Sequence, residues 1–204
     1  MIKYAVFDWD GTLADTYPVL YQAYTLTSDA LNLPKRSLSE IKTITGKIPN
    51  RETFAYLYEK KSDMAKTIFY DYIDKHHLDG LKPIDGAKEV LDFCIQNNIT
   101  PLLITNKTEK YLKKELKFLG FQKYFKKIVC AGRYEQDKPG IKACLALFDG
   151  LIPPSDEIVV IGDGASDIKV AKVYGAKSII YQNKAKGDYN IDTLSQAIKI
   201  MKGL

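Results

Sequence analysis

The stretch Tyr4-Ala5-Val6-Phe7-Asp8-Trp9-Asp10-Gly11-Thr12 decides the fold of this 204-residue chain. Its first part belongs to an apolar run from Ile2 to Asp8, rich in β-branched and aromatic residues, that predicts a buried strand. In an extended chain the side chains of Asp8 and Asp10 point to the same side, with Trp9 opposite. Two carboxylates this close repel each other, and proteins keep them chiefly where a cation neutralises them or a proton is shared.

The strand pattern recurs further along the chain and alternates with helical periodicity. Further strands are predicted over residues 100–105, 127–131, 157–162 and 177–181. Helices are predicted over residues 86–97, 108–119, 138–149, 165–174 and 191–202. Because the strands are nearly continuous apolar runs, they are typical of a parallel sheet whose two faces are both covered by helices. The sequence therefore predicts an α/β fold.

One interval interrupts this alternation, between the first strand and the second. It is far longer than the single helix and two short loops that a crossover connection needs. Residues 16–82 have helical patterns throughout, and Pro83 helps to end the last of these helices. We therefore predict two domains: a core of residues 1–15 and 83–204, and an inserted all-helical domain of residues 16–82.

Composition excludes several classes of protein. Hydrophobic residues make up 46% and charged residues 27% of the chain, as in ordinary water-soluble globular proteins. The longest apolar stretch, 143–148, is far shorter than the roughly 20 residues that span a bilayer. Early aspartates would interrupt a secretory signal, so we expect a cytoplasmic protein without a membrane segment. The three cysteines are widely spaced in apolar surroundings and are predicted to be buried thiols.

The net charge of +5 is concentrated in one segment. Residues 106–127 contain eight lysines but only two acidic residues, Glu109 and Glu115. The spacing leaves apolar positions for an inner helix face, so we interpret the lysines as a solvated face rather than a nucleic-acid surface. The lysines assigned to this solvated face are Lys107, Lys110, Lys113, Lys114 and Lys117.

A second acidic pair follows the fourth predicted strand, in Gly162-Asp163-Gly164-Ala165-Ser166-Asp167. Ligands of open parallel sheets bind at the carboxyl ends of the strands, so two acidic pairs at this edge indicate a divalent cation. Oxygen ligands without nearby histidine or cysteine favour Mg²⁺ over zinc. The alternative of a dinucleotide loop is disfavoured, because Asp167 stands where that motif has a third glycine.

Two further positions add phosphate-binding groups to the same edge. Thr105 and Asn106 end the second strand and offer a hydroxyl and backbone N–H groups, although a threonine there also suits a simple helix cap. Lys138, predicted in the first turn of the helix over 138–149, supplies a positive charge that opposes the helix dipole. The absence of a GxxxxGK[ST] motif argues against a P-loop enzyme.

These residues, in this order, resemble the four motifs of the haloacid dehalogenase superfamily, and the helical insert resembles its C1 cap domain. The matching residues are Asp8 to Leu13, Thr105, Lys138-Pro139, Gly162-Asp163 and Asp167. The resemblance covers essentially the whole chain. It implies a Rossmann-like core with strand order 5-4-1-2-3, dependence on Mg²⁺, and phosphoryl transfer through an aspartyl phosphate.

The resemblance also implies a role for each residue. Asp8 would be the nucleophile and a metal ligand, and Asp10 the acid and base, with its backbone carbonyl on the metal. Thr105 and the N–H of Asn106 would hold phosphoryl oxygens, and Lys138 would neutralise charge. Asp163 would bind the metal with help from Asp167, directly or through water.

Within the superfamily the sequence favours a phosphatase acting on a small phosphorylated metabolite, similar to phosphoglycolate phosphatases. Dehalogenases lack the aspartate found here as Asp10, and mutases resembling β-phosphoglucomutase carry a cap histidine where this chain has Leu20. A mutase and a non-catalytic phosphate-binding module stay open as alternatives. We expect no nucleic-acid or membrane partner, and a monomer or a dimer.

The insert contains one segment with both Gly and Pro, Thr45 to Arg51, predicted to be a turn between helices. Arg51 would lie in the first turn of the next helix, where a cation opposes the dipole. Similar family members use a cap loop in this neighbourhood to contact the far end of the substrate. Lys47 and Arg51 are therefore candidates for contacting a carboxylate or second phosphate of the substrate.

Overall fold

The computed structural model describes residues 1–48, 50–182 and 185–204, without the side chains of residues 46, 47 and 50. The chain divides into two compact units. One is formed by Met1–Asp15 together with Lys82–Leu204 and contains all the described strands. The other is Thr16–Leu81 and is helical.

The first unit is built on a six-stranded parallel sheet. In chain order the described strands are β1 (Tyr4–Phe7), β2 (Ala14–Asp15), β3 (Lys82–Pro83), β4 (Thr100–Thr108), β5 (Lys127–Ala131), β6 (Ile158–Gly162), β7 (Lys177–Tyr181) and β8 (Tyr189–Ile191). The sheet has the order β5-β4-β1-β6-β7-β8, and all of its pairs are parallel. The predicted α/β class is confirmed.

The strand order differs from the expectation in detail. The five predicted strands are arranged as expected, but β8 adds a sixth strand at the edge, and β2 pairs with β3 in a separate antiparallel ribbon. These added strands are only two or three residues long. Runs this short contain too few residues to show a periodic pattern.

The helical unit contains α1 (Tyr17–Ala30), α2 (Leu38–Lys47), α3 (Asn50–Tyr58) and α4 (Ser62–His76). A capping box starts α2: Ser37 Oγ accepts the Glu40 N–H at 3.2 Å, and the Glu40 carboxylate accepts the Ser37 N–H at 2.7 Å. Aromatic rings form the core of the helical unit, where the Phe69 ring centroid lies 4.7 Å from that of Tyr24 and 5.2 Å from that of Phe54.

The predicted turn over Thr45 to Arg51 is wrong in its extent, because α2 continues through Lys47. A glycine inside a helix costs only about 1 kcal/mol relative to alanine, so Gly46 does not end it. Ile48 adopts the extended conformation that is favoured before a proline. The side chain of Lys47 and all of Pro49 lie outside the described residues, and α3 begins at Asn50.

The remaining helices cover the sheet: α5 (Ala87–Gln96), α6 (Glu109–Leu119), α7 (Ile141–Ala146), α8 (Ala165–Tyr174) and α9 (Ser195–Gly203). On one face, apolar side chains of the central strands pack against α7 and α8, in a buried cluster that includes Val6, Val160 and Val170. Of the other helices, α5 and α6 contact β4, and α9 contacts α5. All three cysteines are buried and free, as predicted.

Two features of the sheet bear on the site. Tyr4 pairs with both Thr100 and Ile158, so β1, β4 and β6 begin level and their carboxyl ends meet at one edge. Between Ile104 and Thr108 the pairing of β4 with β5 shifts register.

In the described part of the chain, no helix is long and apolar enough to cross a membrane.

Candidate active site

Asp8 lies at the carboxyl end of β1, in the middle of the sheet. Its backbone N–H donates to the carbonyl of Ile161 at 3.0 Å, which continues the parallel pairing one residue beyond the strand. Only 7% of the residue is exposed. The Asp8 carboxylate thus lies where the carboxyl ends of the central strands meet and is largely out of water.

Lys138 brings a positive charge to this carboxylate. Its Nζ lies 2.7 Å from Asp8 Oδ1 and 2.8 Å from Asp167 Oδ1, and 2% of the side chain is exposed. Two carboxylates thus share one buried ammonium. Such an arrangement is costly to bury unless every charge is paired, so its presence indicates a demand beyond simple stability.

The position of Lys138 in the chain differs from the expectation. The helix predicted over 138–149 begins only at Ile141, so Lys138 lies in a turn before α7 rather than in its first helical turn. A hydrogen bond of 2.6 Å from the Gly140 N–H to the Asp137 carbonyl closes this turn. Pro139 explains the difference, because a residue before proline is disfavoured in the helical conformation.

Three acidic side chains form a cluster at this edge. Asp8, Asp163 and Asp167 each contribute one carboxylate oxygen, and these oxygens all lie within 4.8 Å of one another. Asp167 also accepts the Gly164 N–H at 3.0 Å, which fixes the loop that carries Asp163. A donor set of carboxylate oxygens fits a hard divalent cation such as Mg²⁺.

The surroundings shift the pKa values of the charged groups. Burial raises the pKa of Asp8 well above its usual range, and the charges of Asp167 and Asp163 add to this, while Lys138 opposes it. Burial alone would lower the pKa of Lys138, but the carboxylates of Asp167 and Asp8 outweigh it and raise that pKa. The lysine therefore stays charged between Asp8 and Asp167.

Thr105 and Asn106 lie where β4 shifts register. Thr105 is 2% exposed, and its Oγ1 accepts the Lys107 N–H at 3.1 Å. The prediction that Thr105 and Asn106 end this strand is wrong, because β4 continues through Thr108. The Asn106 Nδ2 donates to the Lys138 carbonyl at 3.0 Å, which ties this irregular part of β4 to the turn before α7. Strand irregularities of this kind are frequent next to active sites.

Asp10 is not a member of the three-carboxylate cluster. Its Oδ1 lies 2.8 Å from Lys107 Nζ, and the same Nζ lies 2.9 Å from Glu115 Oε1. Trp9 Nε1 donates to Glu115 Oε2 at 2.6 Å. A second network of charged groups, formed by Lys107 and Glu115, thus contacts Asp10, whose side chain is 24% exposed.

The solvated role predicted for Lys107 is wrong. Its side chain is 9% exposed, and it belongs to β4, which continues through Thr108, rather than to the amphipathic helix. The other predicted surface lysines are exposed on or beside α6: Lys110, Lys113, Lys114 and Lys117.

Burial also affects this second network. It raises the pKa of Glu115, and the Asp10 charge adds to this, whereas Lys107 and Trp9 oppose it. Burial alone would lower the pKa of Lys107, but the carboxylates of Asp10 and Glu115 raise it. Lys107 therefore stays charged between these two side chains.

Of the two candidate residues in the helical unit, only Arg51 has a described side chain. Arg51 is exposed and lies in the first turn of α3, as expected. The Lys47 side chain lies outside the described residues.

Comparison with known proteins gives a consistent set of relatives. PpaX from Caldanaerobacter subterraneus subsp. tengcongensis, provisionally named a pyrophosphatase, is 28% identical over 99% of this chain and 96% of its own. A protein of Vibrio parahaemolyticus named phosphoglycolate phosphatase is 27% identical over 98% of this chain and 96% of its own.

Solved structures show the same fold. A Clostridium acetobutylicum protein described as a predicted phosphatase superimposes with a TM-score of 0.86 over 100% of both chains, at 20% identity. The model of the family described as "Haloacid dehalogenase-like hydrolase" matches residues 5–181 of this chain. That match includes the ends of β1, β4 and β6 and the turn before α7, and the chain belongs to the haloacid dehalogenase-like hydrolase family.

Proposed function

We propose that this protein is a Mg²⁺-dependent phosphatase that hydrolyses a small phosphorylated metabolite through a phosphoryl group carried on Asp8. One observation supports this above all others. The buried Asp8 carboxylate is paired with Lys138 at 2.7 Å and lies within 4.8 Å of oxygens from Asp163 and Asp167. A carboxylate among these charges is suited to attack phosphorus while a cation and an ammonium offset the charge of the phosphoryl group.

In the first step an Asp8 oxygen forms a bond to phosphorus and the bond from phosphorus to the substrate oxygen breaks. Ionised Asp8 needs no base for this attack, and the ion pair with Lys138 favours the ionised form. The departing oxygen takes a proton from Asp10. In the second step water attacks phosphorus, its proton passes to Asp10, and the bond to Asp8 breaks, which releases phosphate and restores the Asp8 carboxylate.

Other residues of the chain hold the phosphoryl group. In this proposal the Thr105 hydroxyl and the Asn106 N–H donate to phosphoryl oxygens, and Lys138 offsets negative charge on phosphate and Asp8. Such donors act strongly in a site that excludes water, because they are fixed before the reaction begins.

The metal site in this proposal consists of the carboxylates of Asp8, Asp163 and Asp167, with the Asp10 backbone carbonyl as a further ligand. The three carboxylates fit the hard oxygen ligands that Mg²⁺ prefers. When bound, the ion supplies positive charge that stabilises the phosphoryl group and orients it.

The names of two relatives support a proposal for the substrate class. Their names refer to pyrophosphate and phosphoglycolate, and each of these molecules carries a second anionic group beyond the phosphoryl group that is removed. We propose a substrate of this kind, with the helical unit Thr16–Leu81 as the cap domain. Lys47 and Arg51 are the cap residues proposed to contact the second anion.

A panel of phosphorylated metabolites, including phosphoglycolate, pyrophosphate and sugar phosphates, tests this proposal with purified protein and Mg²⁺. Phosphate release that stops on chelation and returns with Mg²⁺ is the expected result. Conversion of a sugar phosphate into its isomer without phosphate release would support a mutase instead. Binding without any turnover would contradict the proposal and indicate a phosphate-binding module.

A further inference from the structure

The network around Asp10 contains three residues that the proposed reaction does not use. Lys107 Nζ lies 2.8 Å from Asp10 and 2.9 Å from Glu115, with side-chain exposures of 9% for Lys107 and 1% for Glu115. An ion pair this deeply buried is rarely favourable for stability alone, because desolvation offsets much of the attraction. The side chain that it holds is the proposed acid and base.

Glu115 is fixed from two directions. Its Oε1 accepts from Lys107, and its Oε2 accepts from Trp9 Nε1 at 2.6 Å. Trp9 is fully buried, and its ring packs edge to face against Phe121 at a centroid distance of 6.2 Å. Both oxygens of Glu115 are therefore engaged by residues from different parts of the chain, which leaves Lys107 little freedom to move.

Lys107 Nζ lies 2.8 Å from Asp10 Oδ1 and so fixes where that side chain lies. With an aryl phosphate as substrate, only the second half of the reaction depends on this position. Proton acceptance is the task of Asp10 when water attacks the phosphoryl group on Asp8. An aryl phosphate needs no proton donor in the first half, because a phenolate with an electron-withdrawing group leaves unaided.

We propose that Lys107, held in place by Glu115 and Trp9, is a positioning residue that orients the Asp10 carboxylate for attack by water on the phosphoryl group. This inference rests on the proposed phosphatase activity. It assigns these three residues to the second half of the reaction, in which water oxygen bonds to phosphorus, the proton goes to Asp10 and the bond to Asp8 breaks.

The experiment compares two kinetic constants of the Mg²⁺-loaded full chain with p-nitrophenyl phosphate. The constant kcat/KM reports steps up to transfer of the phosphoryl group to Asp8, whereas kcat includes the attack by water. For Lys107→Met we expect kcat to fall at least about tenfold and kcat/KM to stay within about threefold, since general bases contribute roughly 10²- to 10⁴-fold. A burst of nearly one equivalent of nitrophenol should precede the slow phase.

Two further variants complete the experiment. Trp9→Phe keeps an aromatic ring at this buried position and removes the N–H together with the five-membered ring of the indole, so it provides a second test if Lys107→Met does not fold. We expect the same selective loss of kcat, smaller in size. Lys113→Met, on an exposed lysine paired with Glu109 on α6, serves as the matched control and should leave both constants unchanged.

The result that overturns the inference is equally specific. In the folded variants, a parallel fall of kcat and kcat/KM, or an unchanged kcat, would show that Lys107 does not act on the second half. Failure of the proposed phosphatase function would be recognised differently. In that case the unmodified protein would release no phosphate from any member of the panel.

Discussion

Lys138 and Asp8 form a buried ion pair of 2.7 Å in which 2% and 10% of the side chains are exposed. The pair joins two parts of the chain that are distant in sequence, the end of β1 and the turn before α7. Because Asp167 shares the same ammonium at 2.8 Å, removal of the lysine would leave two carboxylates facing each other without a counter-charge.

Lys138→Met should therefore destabilise the protein as well as inactivate it. Breaking a buried ion pair by removing one partner typically costs about 3–5 kcal/mol. The free energy of unfolding, measured with urea in the presence of a chelator, checks this value. The matched control is Lys142→Met, since Lys142 is exposed and pairs with Glu135 on the surface, where such pairs contribute at most about 1 kcal/mol. Equal losses in both variants would contradict the expectation.

Asp8→Asn should abolish turnover while the protein stays folded. An amide neither attacks phosphorus nor balances a cation, so we expect kcat to fall by several orders of magnitude. No phosphorylated protein should appear when the variant is quenched with acid during turnover and examined by mass spectrometry. Asp188→Asn, on an aspartate beside β8, is the control that should retain activity at neutral pH. Phosphoprotein in the Asp8 variant would refute the assignment of the nucleophile.

The sequence predicted much of this edge of the sheet for a simple reason. Apolar runs defined β1, β4 and β6, and parallel strands bring their carboxyl ends together, so Asp8, Thr105 and Asp163 were expected close to one another. That inference uses strand ends alone and needs no knowledge of side-chain packing.

The second network could not be predicted in this way. Periodicity assigns charged residues to the surface. Lys107 is buried with Asp10 and Glu115 as its partners, and Glu115 is buried with Lys107 and the Trp9 N–H as its partners. Such pairing depends on the tertiary fold, since β4 and α6 must bring the two residues together. The strand β8 was missed for another reason, because its three residues are too few to show a periodic pattern.

Gly162→Ala should disrupt the acidic cluster through a direct clash. A Cβ on Gly162 would overlap the Cγ and Oδ2 atoms of Asp167, and that side chain is fully buried and held by Lys138. We expect lower thermal stability and loss of most activity. Gly164→Ala is the matched control for stability, because its Cβ would meet Asp167 at an ordinary contact distance of 3.7 Å. Equal melting temperatures for the two variants would show that Asp167 can move at little cost.

Arg51→Ala tests the proposed contact with the far end of the substrate. We expect KM for the best doubly anionic substrate of the panel to rise about tenfold, the usual loss for one charge-assisted hydrogen bond, with little change for p-nitrophenyl phosphate. Lys66→Ala, on an exposed lysine paired with Asp63 in the same helical unit, is the control. Equal effects of Arg51→Ala on both substrates would assign Arg51 to support of the helical unit instead.

Because of Asp188, the free energy of unfolding should fall as the pH drops through a defined acidic range. Its carboxylate accepts the Ser178 N–H at 2.9 Å and a bond from Lys177 at 3.1 Å, and these contacts, the Ser178 N–H above all, lower its pKa to about 2. In the unfolded chain the pKa of Asp188 has its ordinary value of about 3.9. As the pH drops from about 4 towards 2, the unfolded state therefore binds a proton on Asp188 before the folded state does, and the free energy of unfolding falls. Asp188→Asn removes this titration, so its free energy of unfolding in urea should decline less steeply than that of the unmodified protein across this window. Parallel curves for the two proteins would show that the contacts with Ser178 and Lys177 do not lower the pKa of Asp188 in the folded protein.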